Sequence, residues 1–227
     1  MASWRTSVRA VCCRGAWLMV AAPDDLVVLC PCADMLRTLE VLLSRPQLMG
    51  MRPVQHAVYR HPGRDPGVRV GAHEFLRGFA TQYRHALALL DVVGSGAPGP
   101  PQRLEANIEF ELARNGWARG RARAVAIAPE LEAWAWGPGD LVARTFGLPQ
   151  AEVEALVELI PKDPETGKPT DPEAALTAVM RHLKRPASSA VFAELAGSVQ
   201  KAAVDACCDR AFLRFRDTLR GWFPPVA

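Results

Sequence analysis

Short apolar runs alternate with amphipathic segments between residues 25 and 128 of this chain. Apolar runs followed by turn residues are typical of strands buried in a parallel sheet, and apolar residues spaced by three and four predict helices. The alternation predicts an α/β fold with a mainly parallel sheet flanked by helices. The predicted strands are 26–30, 54–59, 86–90 and 122–128. The predicted helices are 34–45, 72–83 and 102–115, and Asp34 is the predicted N-cap of the first. Residues 61–70 are predicted to form a polar loop.

Beyond Pro129 the strand pattern stops and only helical periodicity remains. We therefore expect three regions, which are an N-terminal extension over 1–22, an α/β domain over 23–137 and an all-helical C-terminal region over 138–227. The predicted C-terminal helices are 140–146, 150–160, 171–185, 188–204 and 209–223, with a polar linker at 161–172.

The first 22 residues carry three arginines, no acidic residue and only a short apolar patch. A secretory signal peptide has a longer apolar region and a clearer cleavage site. The segment is therefore predicted to be disordered or mis-called, with the natural start at Met19.

Composition excludes several classes of protein. The chain holds 27 basic and 24 acidic residues, a net charge of +3, so no strong overall field marks a nucleic-acid binder. No run of about 18 apolar residues is present, and we expect no membrane association. The six cysteines lack zinc-site spacing, which favours reduced thiols in a cytoplasmic protein.

Asp91 is the leading candidate for chemistry because it ends the predicted strand 86–90, and ligands bind beyond the carboxyl ends of parallel strands. The next two residues are Val92 and Val93 rather than acids. Mg²⁺ needs only one or two carboxylates besides water and substrate phosphates, so Asp34, Asp91 and Glu132 together are candidate ligands.

Other polar residues near the predicted strand ends have competing interpretations. His61 and His73 are candidates to orient water or phosphate, or belong to an ordinary polar region. Glu130 and Glu132 either contribute one acid to the site or carry charge at a helix N-terminus. Residues 94–99 match the glycine pattern of a dinucleotide loop, but the prolines at 98, 100 and 101 remove N–H donors there.

Several segments together resemble one protein family. They are LVVLC, ADMLRTLEVLL, HPGRDPGVR, GAHEFL, HALALLDVVGSG, PELEAWAW, SSAVFAELA and FLRFRDTLRGWF. The chain from about residue 25 onward resembles the small TOPRIM-like proteins of bacterial anti-phage systems, and most of all a small component of the methylation-associated defence system.

This resemblance implies a TOPRIM-like sheet, Mg²⁺ and phosphodiester chemistry. TOPRIM folds hold Mg²⁺ with an acid after the first strand and an acid pair after a later strand. Asp91 matches the first acid of that pair, Val93 occupies the position of the second, Asp34 lies near the first-strand acid, and Glu132 matches the acid before Ala-Trp in related families. We therefore expect a Mg²⁺-dependent nuclease, or alternatively a non-catalytic adaptor that binds other defence-system subunits or nucleic acid.

Overall fold

The computed structural model describes residues 9–13, 16–20, 24–137 and 139–225. Two strands at the N-terminus, β1 (Arg9–Cys13) and β2 (Ala16–Val20), pair antiparallel. They fall within the predicted extension, and the rest of that extension lies outside the described residues. The start at Met19 stays a prediction.

The main sheet has four strands and is parallel throughout, as the apolar runs predicted. Its strands are β3 (Asp24–Cys30), β4 (His56–Arg60), β5 (Tyr83–Asp91) and β6 (Ala122–Ile127), in the order β4-β3-β5-β6. In this register Val28 lies beside Val58 on one side and Leu87 on the other. Residues 26–30 and 86–90 are fully buried because helices cover both faces of the sheet.

Eleven helices are described besides one 3₁₀ turn, Leu131–Trp134. They are α1 (Ala33–Leu43), α2 (Pro46–Met49), α3 (Arg64–Arg77), α4 (Val92–Ser95), α5 (Pro101–Arg114), α6 (Leu141–Phe146), α7 (Gln150–Leu156), α8 (Pro172–His182), α9 (Ser189–Ser198), α10 (Lys201–Ala206) and α11 (Arg210–Trp222). Helices α3 and α5 cover one face of the sheet, whereas α1 and the C-terminal helices share a hydrophobic core on the other. Among the described residues no helix has the length and apolar character needed to cross a membrane.

The free edge of β6 is covered by charged side chains rather than by another strand. The backbone N–H groups of Ala124 and Ala126 donate to the carboxylates of Glu109 and Glu105, at 3.0 and 2.9 Å. From α11, Arg210 donates to the same Glu105 carboxylate at 3.1 Å. These contacts give hydrogen-bond partners to backbone N–H groups at the edge of β6, and they hold α11 against the sheet.

Two predicted helix boundaries are wrong at α3. Residues 64–70 of the predicted loop 61–70 form the first half of this helix, and 78–83, predicted as helix, is not helical. Pro66 fits because the first turn of a helix needs no backbone N–H. The glycines at 67 and 71, which lower helix propensity, are accommodated because Val68 and Leu76 bury one side of the helix.

The predicted helix 188–204 is also wrong, since the structure divides it into α9 and α10. The guanidinium of Arg45 donates to the carbonyls of Ala196 and Val199 at 2.8 and 2.7 Å. These bonds satisfy C-terminal carbonyls that would otherwise continue the helix, so the chain turns at Val199, whose backbone is extended.

Candidate acidic site at the carboxyl edge of the sheet

The central strands β3 and β5 lie side by side, and the chain leaves them toward opposite edges of the sheet. From β3 it passes through α1 to β4, and from β5 through α5 to β6. The crevice beyond the carboxyl ends of such a strand pair is the usual ligand site of open α/β sheets. Four carboxylates follow the strands at this edge, and we call them the acidic site: Asp34, Asp65, Asp91 and Glu132.

Asp91 ends β5 and occupies the N-cap position of α4 without capping it by a side-chain hydrogen bond. Its Oδ1 atom is buried, and no donor among the described residues reaches it. Burial, followed by the charges of Asp65 and the two acids after β6, raises the pKa of Asp91 to about 8. This carboxyl group therefore lies in a strongly electronegative, poorly hydrated position.

Asp65 is a member of the site that the sequence analysis missed. It lies in the first turn of α3, and its Oδ1 accepts a hydrogen bond from the Asp91 backbone N–H at 2.7 Å. A Cβ atom on Gly94 would lie 2.8 Å from Asp65 Oδ2, so glycine is required for this close approach. Burial raises the pKa of Asp65. The sequence analysis did not select Asp65 because the glycine- and proline-rich segment around it predicted a loop.

Glu132 lies in the 3₁₀ turn that follows β6. Burial and then neighbouring acidic charges, including those of Glu173 and Asp34, raise the pKa of Glu132 to about 7. These three acids line one small pocket of about 120 Å³ together with Ser188. The structure thus places Asp34 and Glu132 together, and it adds Glu173, which the sequence analysis did not select.

Asp34 is the second residue of α1 rather than its N-cap, which corrects the prediction. The N-cap is Cys32, whose Sγ accepts the Met35 N–H at 3.4 Å. Cys32 takes this place because its backbone is extended, whereas Asp34 is already helical. Burial raises the pKa of Asp34.

Glu130 has a separate role. Its Oε1 accepts the backbone N–H of Glu173 at 3.2 Å, in the first turn of α8. Glu130 therefore carries negative charge at the N-terminus of α8, while Glu132 lines the pocket with Asp34 and Glu173. A role of Glu132 as a metal ligand stays a prediction.

His61 packs against the start of α3. Its Nδ1 accepts the Gly63 N–H at 3.0 Å, and a Cβ on Gly67 would lie 2.2 Å from the same atom. Burial lowers the pKa of His61. The imidazole fixes the helix that carries Asp65, and its contact with water or phosphate stays a prediction.

His73 lies further along α3 than the acidic site. It lies eight positions after Asp65, which is about 12 Å along a helix axis at 1.5 Å per residue. Since α3 runs from the carboxyl edge toward the amino edge of the sheet, His73 is not brought beside the acidic residues.

The glycine loop at 94–99 does not have the features of a phosphate cradle. Gly94 belongs to the single turn of α4 and packs against the Asp65 carboxylate. The Gly96 carbonyl is bound by Arg69 at 2.9 Å. A phosphate at this loop would meet two carboxylates, which disfavours the dinucleotide interpretation.

The four carboxylates are oxygen ligands of the kind that Mg²⁺ prefers, but they do not form a complete coordination shell by themselves. In the described part of the chain, no three His, Cys, Asp or Glu side chains are grouped to hold a metal ion. Within the same residues, the four acids form no ion pair with lysine or arginine. Carboxylates without ion pairs and the unpartnered Asp91 oxygen fit a cation whose remaining ligands come from water and substrate.

Two thiols, Cys30 and Cys32, lie at the carboxyl end of β3. Cys30 donates to the Tyr59 carbonyl at 3.4 Å, and burial raises its pKa to about 12. Burial likewise raises the pKa of Cys32 to about 11. Burial therefore favours the protonated form of both thiols.

Comparison with protein-family models, curated proteins and solved structures finds no match. The α/β fold therefore rests on the structure itself, and the resemblance to TOPRIM-like proteins rests on the sequence segments alone.

Proposed function

We propose that this chain is a TOPRIM-like component of a bacterial anti-phage system that hydrolyses phosphodiesters of nucleic acid with Mg²⁺, in the cytoplasm and with other defence subunits. The observation that carries the proposal is the acidic site. Its four carboxylates all have raised pKa values, and among the described residues none forms an ion pair with lysine or arginine. Buried like charges are costly, and such clusters persist mainly where they serve function.

In this proposal Asp91 and Glu132 would hold the cation, and Asp34 lines the same pocket as Glu132. The cation supplies Lewis-acid stabilisation of the charge on the phosphate. Asp65 positions Asp91 by accepting its backbone N–H, and His61 holds the helix of Asp65 in place.

A Mg²⁺ titration by calorimetry tests the site directly. Asp91→Asn and Glu132→Gln are each expected to weaken binding by about tenfold or more, because each removes a charged ligand. Glu158→Gln, at an exposed position that is not among the acidic-site residues, is the matched control and should bind as the wild type does. Equal Mg²⁺ affinity in all four proteins would reject the assignment.

A cleavage assay tests the reaction. Plasmid and single-stranded oligonucleotides are incubated with Mg²⁺ or Mn²⁺, with EDTA as the control. Metal-dependent cutting that Asp91→Asn abolishes supports the nuclease. Cutting that survives Asp91→Asn contradicts the proposed site.

One observation favours the alternative, a non-catalytic adaptor. Val93 is 67% exposed at the position where the resemblance implies a second acid. Valine supplies no metal ligand, so the chain lacks the second acid that a two-metal site would need at this position. If the adaptor is correct, phage protection is unaffected by Asp91→Asn and lost with Val93→Glu.

A further inference from the structure

An open basic pocket of about 500 Å³ lies where α3 and α5 end. Arg77 is the last residue of α3, Arg114 is the last residue of α5, and Arg121 directly precedes β6. All three arginines line the pocket, and no acidic residue of the described chain does. We call it the arginine pocket. It lies at the amino edge of the sheet, opposite the acidic site, because its wall segments lead into β5 and β6.

The charges of the arginine pocket are not compensated within the protein. Among the described residues, Arg77, Arg114 and Arg121 form no ion pair. This includes Glu74 and Glu111, the acids that come three positions before the first two arginines. Guanidinium groups around one space repel each other, so an anion between them is stabilised. Arginine matches the geometry of phosphate oxygens especially well, which makes phosphate the favoured anion.

Arg121 is held in place before any ligand arrives. Its Nε donates to the Arg84 carbonyl at 2.7 Å, and its Nη2 donates to the Tyr83 carbonyl at 2.6 Å. Its guanidinium carbon lies 5.4 Å from the ring centroid of Trp117, which is fully buried. Within the described residues Nη1 has no hydrogen-bond partner, so it remains for a ligand. A side chain fixed in this way loses little entropy on binding.

An aromatic ring stands beside the pocket on the surface of α5. Phe110 is 59% exposed, and the Arg114 guanidinium carbon lies 5.5 Å from its ring centroid. A positively charged groove next to an exposed aromatic ring is the arrangement that binds single-stranded nucleic acid, because a free base stacks on the ring while its phosphates contact the cations. A duplex keeps the faces of its bases inside the helical stack. The ring therefore favours a single strand.

We propose that the arginine pocket and Phe110 bind single-stranded nucleic acid, with phosphates on the guanidinium groups and a base on the phenylalanine ring. This inference rests on the proposed function for nucleic acid as the ligand, and it adds the form of that ligand and the place that holds it. Arg77 lies twelve positions after Asp65 on α3, about 18 Å along a helix axis at 1.5 Å per residue. The pocket thus holds the strand at a distance from the acidic site.

Fluorescence anisotropy of the full chain in EDTA tests binding without cleavage. The probes are labelled oligothymidine and oligouridine of about 12 nucleotides, as DNA and RNA arms, and a duplex of the same length. We expect at least one single strand to bind about fivefold more tightly than the duplex. Its logarithmic salt dependence should have a slope of about −2, since each of three neutralised phosphates contributes about −0.7.

Two arginine variants test the phosphate contacts. Arg77→Gln and Arg114→Gln should each weaken binding about threefold or more and make the salt slope shallower by about 0.7. Arg121 is left unchanged because it also holds backbone carbonyls. Arg37→Gln is the matched control, since it removes the same charge from an exposed position of α1, on the other face of the sheet, and should bind as the wild type does.

Phe110 variants test the stacking. Phe110→Leu keeps an apolar side chain but removes the ring, and we expect about fivefold weaker binding of the single strand and loss of its preference over the duplex. Phe110→Trp keeps a ring and should retain both. Since the position is exposed, thermal unfolding of both variants should match the wild type.

Three results would overturn the inference. They are a wild-type protein that binds neither oligonucleotide, duplex affinity equal to that of both single strands, and arginine variants that bind as the wild type does, which would limit these arginines to stabilising helix C-termini. Because metal is absent from the assay, a failure of Mg²⁺-dependent cleavage leaves a positive binding result intact. Unchanged binding in the arginine variants rejects the inference and leaves the acidic site untouched.

Discussion

The Asp91 backbone N–H donates to Oδ1 of Asp65 at 2.7 Å, so the first turn of α3 and the end of β5 are locked together. This bond brings a second carboxylate beside Asp91 without any acidic pair in the local sequence. The next two residues after Asp91 are valines, and the neighbouring negative charge comes instead from a residue 26 positions earlier.

Gly94→Ala should break this arrangement. The new Cβ would lie 2.8 Å from Asp65 Oδ2, and the carboxylate cannot retreat without losing the Asp91 N–H. We expect a loss of about 1–3 kcal/mol in the free energy of unfolding, measured by urea denaturation, together with weaker Mg²⁺ binding. Gly78→Ala is the control, since nothing lies within 4 Å of its Cβ position. Equal stability of the two variants would show that Asp65 is free to move.

Asp91→Asn should stabilise the metal-free protein at pH 8. The folded-state pKa of about 8 lies above the ordinary 3.8, so the folded protein binds more protons than the unfolded chain between these values. The free energy of unfolding therefore falls as pH rises through this window. Asparagine removes that loss, and we expect a gain on the order of 2 kcal/mol at pH 8 and little change at pH 4. Thermal unfolding in EDTA measures it, and a variant less stable than wild type at pH 8 would contradict it.

The central strands were predictable because a parallel sheet covered on both faces needs nearly continuous apolar residues. Asp91 was predictable for the same reason, since it is the first polar residue after such a run. Sequence pattern alone could not find Asp65. Its role depends on a glycine- and proline-rich helix that local propensity disfavours, and on packing of His61 over Gly67.

The N-cap of α1 shows the same limit on a smaller scale. Aspartate is a far more common N-cap than cysteine, so Asp34 was predicted and Cys32 was not. The cap is decided by the direction in which the chain leaves β3, a property of the tertiary structure. Glu173 joins the Glu132 pocket because α8 packs against the 3₁₀ turn, and no spacing in the sequence indicates that contact.

Glu105→Ala should be among the most destabilising substitutions in the chain. Glu105 is 2% exposed, and it accepts the Ala126 N–H while pairing with Arg210. Its loss leaves a strand N–H and a guanidinium without partners, at a cost of about 3–5 kcal/mol in urea unfolding. Asn107→Ala, exposed on the same helix, is the control and should stay within about 0.5 kcal/mol of wild type. A cost below about 1 kcal/mol would mean that water replaces these contacts.

His85→Phe should stabilise the protein in mildly acidic solution. The His85 ring stacks on Trp222 at 4.4 Å, and burial, followed by the Arg121 charge, lowers its pKa to about 4. The unfolded chain, with an ordinary pKa of 6.5, therefore binds more protons between pH 4 and 6.5, and the free energy of unfolding falls as pH drops through this window. Phenylalanine keeps the stacking and cannot take up a proton, so we expect a gain on the order of 1 kcal/mol at pH 5, discounted for partial exposure, and none from this source at pH 7.5. Urea unfolding at both pH values measures the difference, and an equal effect at the two would mean that packing, rather than protonation, sets the contribution of His85.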